Sequence, residues 1–513
     1  MDEIVVTGVR RERAPMAAPA PSIAFDMAAS APLPRFSGPP PARDTSRFDN
    51  GDPNPVKRTS AEPVSTFSGD VDTASYAIAR KALCQGYLPP SESVRSEEFV
   101  NAFDYDYGRP AGPDAPFAVD VDVLDTPWNG DTELLRVGIE GFDIETEERP
   151  PANIVLLLDV SGSMRSYDKL PLVKTAMTKL VQQLGPDDRV AIVAYAGASG
   201  VVLEPTKGSE QETILSALNR LQSGGSTAGG EGLALAYELA EENFDEEAVN
   251  RVILATDGDF NVGVTGDDPL TDFVARKREA GIYLSVLGFG QGNLNDQMMQ
   301  AIAQNGNGVA AYIDSPAEAE RVLVREFTSS IFPIAEDLKI QVEFNPASIG
   351  QYRLIGYQTR QLREEDFEND AVDAAEIGSG HTVTALYEVS RTGTDGMVPD
   401  RHYDEEGPAY DRRAELGYLK LRYKLPGSDE SVEIARAVTP RDRARADGDA
   451  RFASAVAAFA EKLARTDRAA NLTYEGIAAM AEDARGDDPH GDRRDFAQLV
   501  RIAAAIEGSD SGD

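Results

Sequence analysis

The sequence predicts an α/β protein: a doubly wound, mostly parallel sheet inserted into a β-rich domain, with a helical C-terminal segment behind it. Three observations carry this. From Asn153 onward, short and fully apolar runs alternate with amphipathic stretches of about ten to fifteen residues, the pattern of a parallel sheet covered on both faces. On either side of that region the apolar period is two and turn residues separate the runs, the signature of antiparallel strands. The chain has 513 residues, which is several times the size of a typical domain.

Taken in order, residues 1–58 are rich in Pro, Ala and Arg (PMAAPAPSIAF, SGPPPAR). Such a segment buries too little apolar area to offset its ordering entropy and reads as a disordered tether. Segment 59–149 is α+β, with helices near Ser75–Gln85 and Ser93–Phe103 and strands at Phe117–Leu124 and Glu133–Phe142. The α/β unit occupies 150–332. Its strands are NIVLLLDV (153–160), RVAIVAYA (189–196), RVILATDG (251–258), IYLSVLGFG (282–290) and GVAAYI (308–313). Helices are expected at Leu170–Leu184, Glu210–Leu221, Gly232–Asn243, Leu270–Ala280, Leu294–Gln304 and Pro316–Thr328. Segment 333–445 returns to strands at 338–345, 352–360, 381–391, 416–425 and 431–438. Neither flanking strand set alone builds a two-layer core, so 59–149 and 333–445 are expected to complete one split domain around the insert. Residues 446–513 read as helices at 451–465 and 494–506.

Charge and composition exclude several functions. Fifty Lys+Arg against 87 Asp+Glu give a formal charge of −37, which repels nucleic acid and anionic membrane surfaces and draws in divalent cations. The single cysteine, Cys84, excludes an intramolecular disulfide framework and a Cys-based zinc site. It sits on an apolar helical face and is read as a packed small hydrophobe. His381, His402 and His490 are scattered without i,i+4 pairing, which argues against a His-based catalytic or zinc cluster. No run of 18 apolar residues suggests a transmembrane helix. The opening MDEIVVTG has no basic-then-apolar leader, and a mature form with its signal peptide replaced by Met1 is the expectation.

The chemistry concentrates on one edge of the expected parallel sheet. DVSGSM places Asp159 at the carboxyl end of an apolar strand, with Ser161 and Ser163 at alternate positions in the following turn. SGGSTAGG brings Thr227 on a Gly-rich loop before a helix, and Asp257 follows the apolar VILA. Open α/β sheets bind ligands beyond the carboxyl ends of their strands. Carboxylates and hydroxyls converging there are hard oxygen donors suited to Mg²⁺ or Mn²⁺.

Asp159, Ser161, Ser163, Thr227 and Asp257, in that chain order, resemble the metal-ion-dependent adhesion site of von Willebrand factor type A domains. The resemblance implies a Rossmann-like fold for 150–332. It also implies a Mg²⁺ ion (or Mn²⁺ or Ca²⁺) held by the two serines, the threonine and the aspartates, with one open coordination position filled by an Asp or Glu of a protein partner. EPVSTFSGDVDTASYAIARKAL, LPPSESVRSEEFVNAFDYDY and RGDDPHGDRRDFAQLVRIA resemble the N- and C-terminal regions of a bacterial subfamily of these proteins. DEIVVTG resembles segments just after the signal peptide of TonB-dependent receptors, which favours a periplasmic or outer-membrane-associated protein over a cytoplasmic one. The function implied is divalent-metal-dependent protein binding without catalysis. The competing classes are a metallohydrolase or phosphatase using the same ion as a Lewis acid, and a structural protein stabilised by it. An enzyme needs a nucleophile–base pair beside the ion, and none accompanies these residues in the sequence. The resemblance also implies that filling the open position shifts the last helix of the insert, near Pro316–Thr328.

Other motifs read more simply. DGDFNVGVTGDD mimics a calcium loop but has Val262 where an EF-hand needs Gly. GGSTAGG lacks the P-loop lysine. DVDT (70–73) reads as a solvated turn or N-cap, Trp128 as a core or edge aromatic, and the acidic runs at 364–370 and 404–406 as solvated loops.

Overall fold

The computed structural model describes residues 48, 50–145, 148–226, 229–258, 268–290, 294–399, 414–445 and 448–510. Of the expected tether at 1–58, residues 1–47 and 49 lie outside them, while its end is ordered rather than loose. Asn54 is buried with its Nδ2 donating to the Leu354 and Gly356 carbonyls, and Lys57–Arg58 pairs as an edge strand with Tyr352 and Gln351. The central sheet has six strands in the order Ala310–Ile313, Ile282–Phe289, Val249–Thr256, Ala152–Asp159, Arg189–Tyr195, Ser199–Lys207. The first five are parallel to one another, and the last pairs antiparallel with Arg189–Tyr195. Alternate residues of Ala152–Asp159 supply the two faces. Ile154, Leu156 and Leu158 join the core under the helices Leu170–Val181 and Gln211–Arg220. Val155 and Leu157 face Gly229–Glu242, Asp268–Glu279 and Asp296–Asn305 on the other side. A strand buried on both faces has no polar alternation, which is why this one reads as NIVLLL. The edge strand Ser199–Lys207 has no such signature: it is half-exposed along its length and interrupted by register shifts. Sequence periodicity did not reveal it.

Two antiparallel sheets flank this unit, and each mixes strands from before and after it. In the five-stranded sheet, Phe117–Asp125 pairs with Glu133–Gly141, which pairs with Thr382–Arg391 and places Ile139 opposite Val383. In the other, Val64–Ser68 pairs with Pro333–Phe344, placing Phe67 opposite Ile340. Val121, Leu135, Val137, Ile340, Val342 and Leu421 share one core between the sheets, a sandwich arrangement. The outer face of the five-stranded sheet carries the C-terminal helices Gly448–Leu463, Tyr474–Asp483 and Asp492–Asp510. Phe99, Phe103, Phe452, Phe459 and Phe496 form an edge-to-face cluster there, with ring centroids 5.2–6.2 Å apart. Trp128 is buried in the same cluster.

Four further details differ from the expectations. The last helix of the insert is not continuous: Pro316–Glu320 passes into a π turn, Arg321–Arg325, closed by the Glu326 N–H donating to Arg321 O at 2.9 Å, and then Phe327–Ile331. The helix expected at Ser93–Phe103 shrinks to Ser96–Val100 after a 3₁₀ turn. Cys84 is exposed at the end of the helix Ala74–Cys84 rather than packed. Asp72 is buried rather than solvated, since it accepts the Ala310 N–H at 3.1 Å and pairs with Arg360 at 2.9 Å. The helix Ala74–Cys84 also reaches beyond its own segment, with Ala74 and Ala77 packing into the core of the central sheet.

Candidate metal centre

Three loops meet at the carboxyl edge of the central sheet. The strand Ala152–Asp159 ends in Asp159, whose side chain is fully buried. Asp159 Oδ1 accepts the Ser161 N–H at 2.8 Å, which fixes the turn and sets Ser161 for the short 3₁₀ segment Gly162–Arg165. The Ser161 and Ser163 hydroxyls lie 2.8 Å apart, Ser161 buried and Ser163 facing solvent. Met164, fully buried below them, anchors the turn in the core.

The Gly-rich loop is joined to this turn by two backbone hydrogen bonds. Gly224 N donates to Val160 O at 2.8 Å, and Gly162 N donates to Gly225 O at 3.0 Å. Gly225 adopts a φ of +87°, and a side chain there would press on the backbone of Gly197. Thr227 and the segment 259–267 lie outside the described residues. The chain is followed as far as Ser226, two residues after the Gly224 hydrogen bond. Asp257, fully buried, ends the neighbouring strand Val249–Thr256.

The electrostatics are those of carboxylates packed close together with little water. Burial pushes the Asp159 carboxyl up to about 6; the Ser161 N–H opposes this and the negative charge of Asp257 adds to it. Asp159 Oδ2 is buried and makes no hydrogen bond within the described protein. The Tyr195 hydroxyl lies beside the same carboxyl and, like the Ser161 side chain, favours its charged form. A buried oxygen left without a partner is costly, and this one opens beside two hydroxyls. Among the described residues no three His, Cys, Asp or Glu side chains converge on a metal-sized site. The donor set is therefore carboxylate mixed with hydroxyl, all hard oxygen.

One further residue of the site is absent from the sequence-based set. Lys169, at the start of the helix Leu170–Val181, donates from Nζ to Asp257 Oδ2 at 2.8 Å and is 8% exposed. Its only sequence signal is a lysine immediately before an apolar helix, a pattern shared by many solvated lysines. Behind it, Lys81 donates to Asp168 at 3.0 Å and to the Tyr312 hydroxyl at 2.9 Å, and Tyr312 donates to the Gly290 carbonyl.

A cavity of about 260 Å³ lies at the sandwich side of the central sheet and is lined by Asp70, Asp72, Arg251, Arg360 and Glu376. Arg251 stands at the other end of the Val249–Thr256 strand from Asp257, so this cavity is separate from the site.

Comparison with known proteins matches the same architecture. The von Willebrand factor type A domain model matches residues 153–324. A model described as von Willebrand factor matches 42–136, and the C-terminal model of the YfbK protein matches 329–506. The YfbK protein of Escherichia coli (strain K12) is 41% identical over 470 residues, covering 90% of this chain and 82% of its own. The sll0103 protein of Synechocystis sp. (strain PCC 6803) is 31% identical over 299 residues, covering 58% and 67%. Among solved structures, a von Willebrand factor type A protein from Catenulispora acidiphila aligns with 16% identity and a TM-score of 0.43, covering 78% of this chain and 91% of that one. The α/β unit is thus a von Willebrand factor type A domain, a class of protein-interaction modules. The whole chain belongs to the YfbK family of such proteins. No helix among the described residues is long and apolar enough to cross a membrane.

Proposed function

We propose that this protein is a divalent-metal-dependent binding module of the bacterial cell envelope. In this reading one Mg²⁺, or Mn²⁺ or Ca²⁺, sits at Asp159, Ser161, Ser163 and Thr227, with Asp257 ordering its waters or binding directly. The observation that carries the reading is the buried, unpartnered Asp159 Oδ2 beside the paired hydroxyls of Ser161 and Ser163. A hard cation would satisfy all three oxygens at once. The bound ion supplies an electrophilic centre for a carboxylate. This chain's residues hold the ion and, through the buried floor of Met164 and Tyr195, limit the water that reaches Asp159. The partner is a protein presenting Asp or Glu, and no residue is assigned a catalytic role.

The test is calorimetric titration of the chelator-treated protein with Mg²⁺ and Mn²⁺, followed by capture from envelope extract with and without chelator. One metal site in the wild type and none in Asp159→Ala supports the reading. Unchanged binding in Asp159→Ala removes it, and capture that ignores chelator removes the partner carboxylate.

A further inference from the structure

Lys169 puts a positive charge inside the pocket proposed to attract a cation. Resting on the metal reading above, we infer that Lys169 is a built-in counter-ion to Asp257 that sets the charge of the metal seat and stays in place when the ion is bound. Its effect is to keep the ion electrophilic toward a partner's carboxylate.

The geometry supports a fixed lysine rather than a mobile one. The ammonium meets Asp257 Oδ2 at 2.8 Å, with side-chain exposures of 10% and 0%. Its backbone is held at both ends: Lys169 N donates to Ser166 O at 3.1 Å, and Lys169 O accepts the Val173 N–H at 2.8 Å as the helix begins. The aliphatic stem lies in a slot floored by Gly290, where any Cβ would collide with Cγ, Cδ and Cε. Gly290 is at φ +81°, a conformation that favours glycine. Its carbonyl is pinned from behind by Tyr312, which Lys81 engages in turn while also holding Asp168 beside Lys169. Three separate elements therefore fix the lysine.

The consequence is electrostatic. Asp159 and Asp257 alone would offer two negative charges to a divalent ion. Among the described residues, with the Lys169 ammonium paired to Asp257 the seat offers one, and a divalent ion there keeps a net positive charge. An ion neutralised by its own protein has little attraction left for an incoming carboxylate, whereas an under-neutralised ion in a poorly solvated site has a strong one. The arrangement gives up metal affinity and gains ligand affinity. Holding Asp257 to an ammonium also favours its acting through ordered water rather than as a direct donor.

The experiment uses the full-length protein, Mn²⁺ alone as the metal probe and acetate as the carboxylate probe. Mn²⁺ affinity is measured by calorimetry, and acetate binding to the loaded site by displacement of Mn²⁺-bound water in proton relaxation. Lys169→Met removes the charge and keeps the stem, Lys169→Arg keeps the charge, and Asp159→Ala controls for the site. Lys169→Met is expected to bind Mn²⁺ at least about tenfold tighter than wild type and to bind acetate more weakly once loaded. Lys169→Arg should stay close to wild type on both measures. If Lys169→Met does not melt cooperatively, Lys169→Gln carries the same comparison. Equal or weaker Mn²⁺ affinity in a folded, charge-removing variant overturns the inference and leaves the metal reading standing. So does a Lys169→Arg variant that behaves like Lys169→Met, because the effect would then be packing. Binding in neither wild type nor Lys169→Met overturns the metal reading and the inference together. Binding in Lys169→Met alone shows the lysine to be the seat's own cation and overturns both for the native protein.

Discussion

Arg95 donates from Nη2 to Asp296 Oδ2 at 2.6 Å, with both side chains only 2% exposed. The two residues are 201 positions apart, one in the segment before the von Willebrand domain and the other at the start of a helix within it. Arg95 also pairs with Glu98, whose Oε1 accepts from Gln300 at 3.1 Å and whose Oε2 accepts the Ser75 N–H at 2.7 Å. The domain is thus tied to its flank by a buried polar seam as well as by chain connectivity. Removing one member of such a pair leaves an uncompensated charge in the interior. Arg95→Met is expected to destabilise the protein by about 3–5 kcal/mol, read as a lower urea midpoint with an unchanged slope.

Asp159 should show the opposite trade. Its buried carboxyl, with one oxygen lacking a hydrogen-bond partner, costs stability when no ion is present. In chelator, Asp159→Asn is expected to raise the melting temperature, corresponding to about 1 kcal/mol, while Mn²⁺ no longer raises it further. A lower melting temperature in chelator would mean that the carboxylate is satisfied without metal.

Two buried glutamates should respond to pH in opposite senses. Burial, reinforced by the neighbouring Glu98 charge, pushes Glu97 up to about 7. The unfolded chain ionises this group near the ordinary value of 4.5, so its contribution to stability is lost as pH rises from there through 7. Glu97→Gln should therefore gain on wild type between pH 5 and pH 8, as measured by urea midpoints at the two values.

Glu318 is the mirror case. Burial alone would raise it, but Arg321 and Arg80 outweigh that and hold it down to about 2. Its stabilisation is present above about pH 4.5 and is lost as pH falls toward 2. Glu318→Gln should be clearly less stable than wild type at pH 6, and the gap should close on acidification. Because Glu318 precedes the π turn Arg321–Arg325, hydrogen exchange in that turn is expected to rise in the same variant.

Cys84 is exposed at its helix end. It should react with a thiol reagent without unfolding, and Cys84→Ser should leave stability within about 0.5 kcal/mol of wild type.

Much of this was legible from the chain because burial writes itself into sequence. NIVLLL, VILA and IYLSVL are short apolar runs bounded by turn residues, which reads as strands covered on both faces, and the turns after the first two carry Asp159 and Asp257 to one edge. The edge strand Ser199–Lys207 left no such mark, since a half-exposed strand with shifted register has no clean period. The break in the last helix was hidden too, because its π turn is held by the Arg321, Glu318 and Glu326 side chains, which periodicity does not weigh. Lys169 and the burial of Asp72 depend on partners 88 and 238 residues away. No local pattern encodes such distances. Cys84 was misread because it lies one turn on from Arg80 and Lys81, on their side of the helix, rather than on the buried face of Ala79, Ala82 and Leu83.

The interleaving of the two antiparallel sheets has a consequence during synthesis. Glu140 must pair with Thr382, a strand that leaves the ribosome about 240 residues later, or roughly 12–50 s at 5–20 residues per second. Until then the hairpin Phe117–Gly141 waits with an unpaired edge and an uncovered apolar face, a hazard for intermolecular pairing. The von Willebrand domain emerges whole during that interval. Its prompt closure is the step that brings the two halves of the sandwich within reach of each other. Variants that slow this domain's folding should therefore appear first as aggregation of the hairpin, with the lesion and the symptom in different domains.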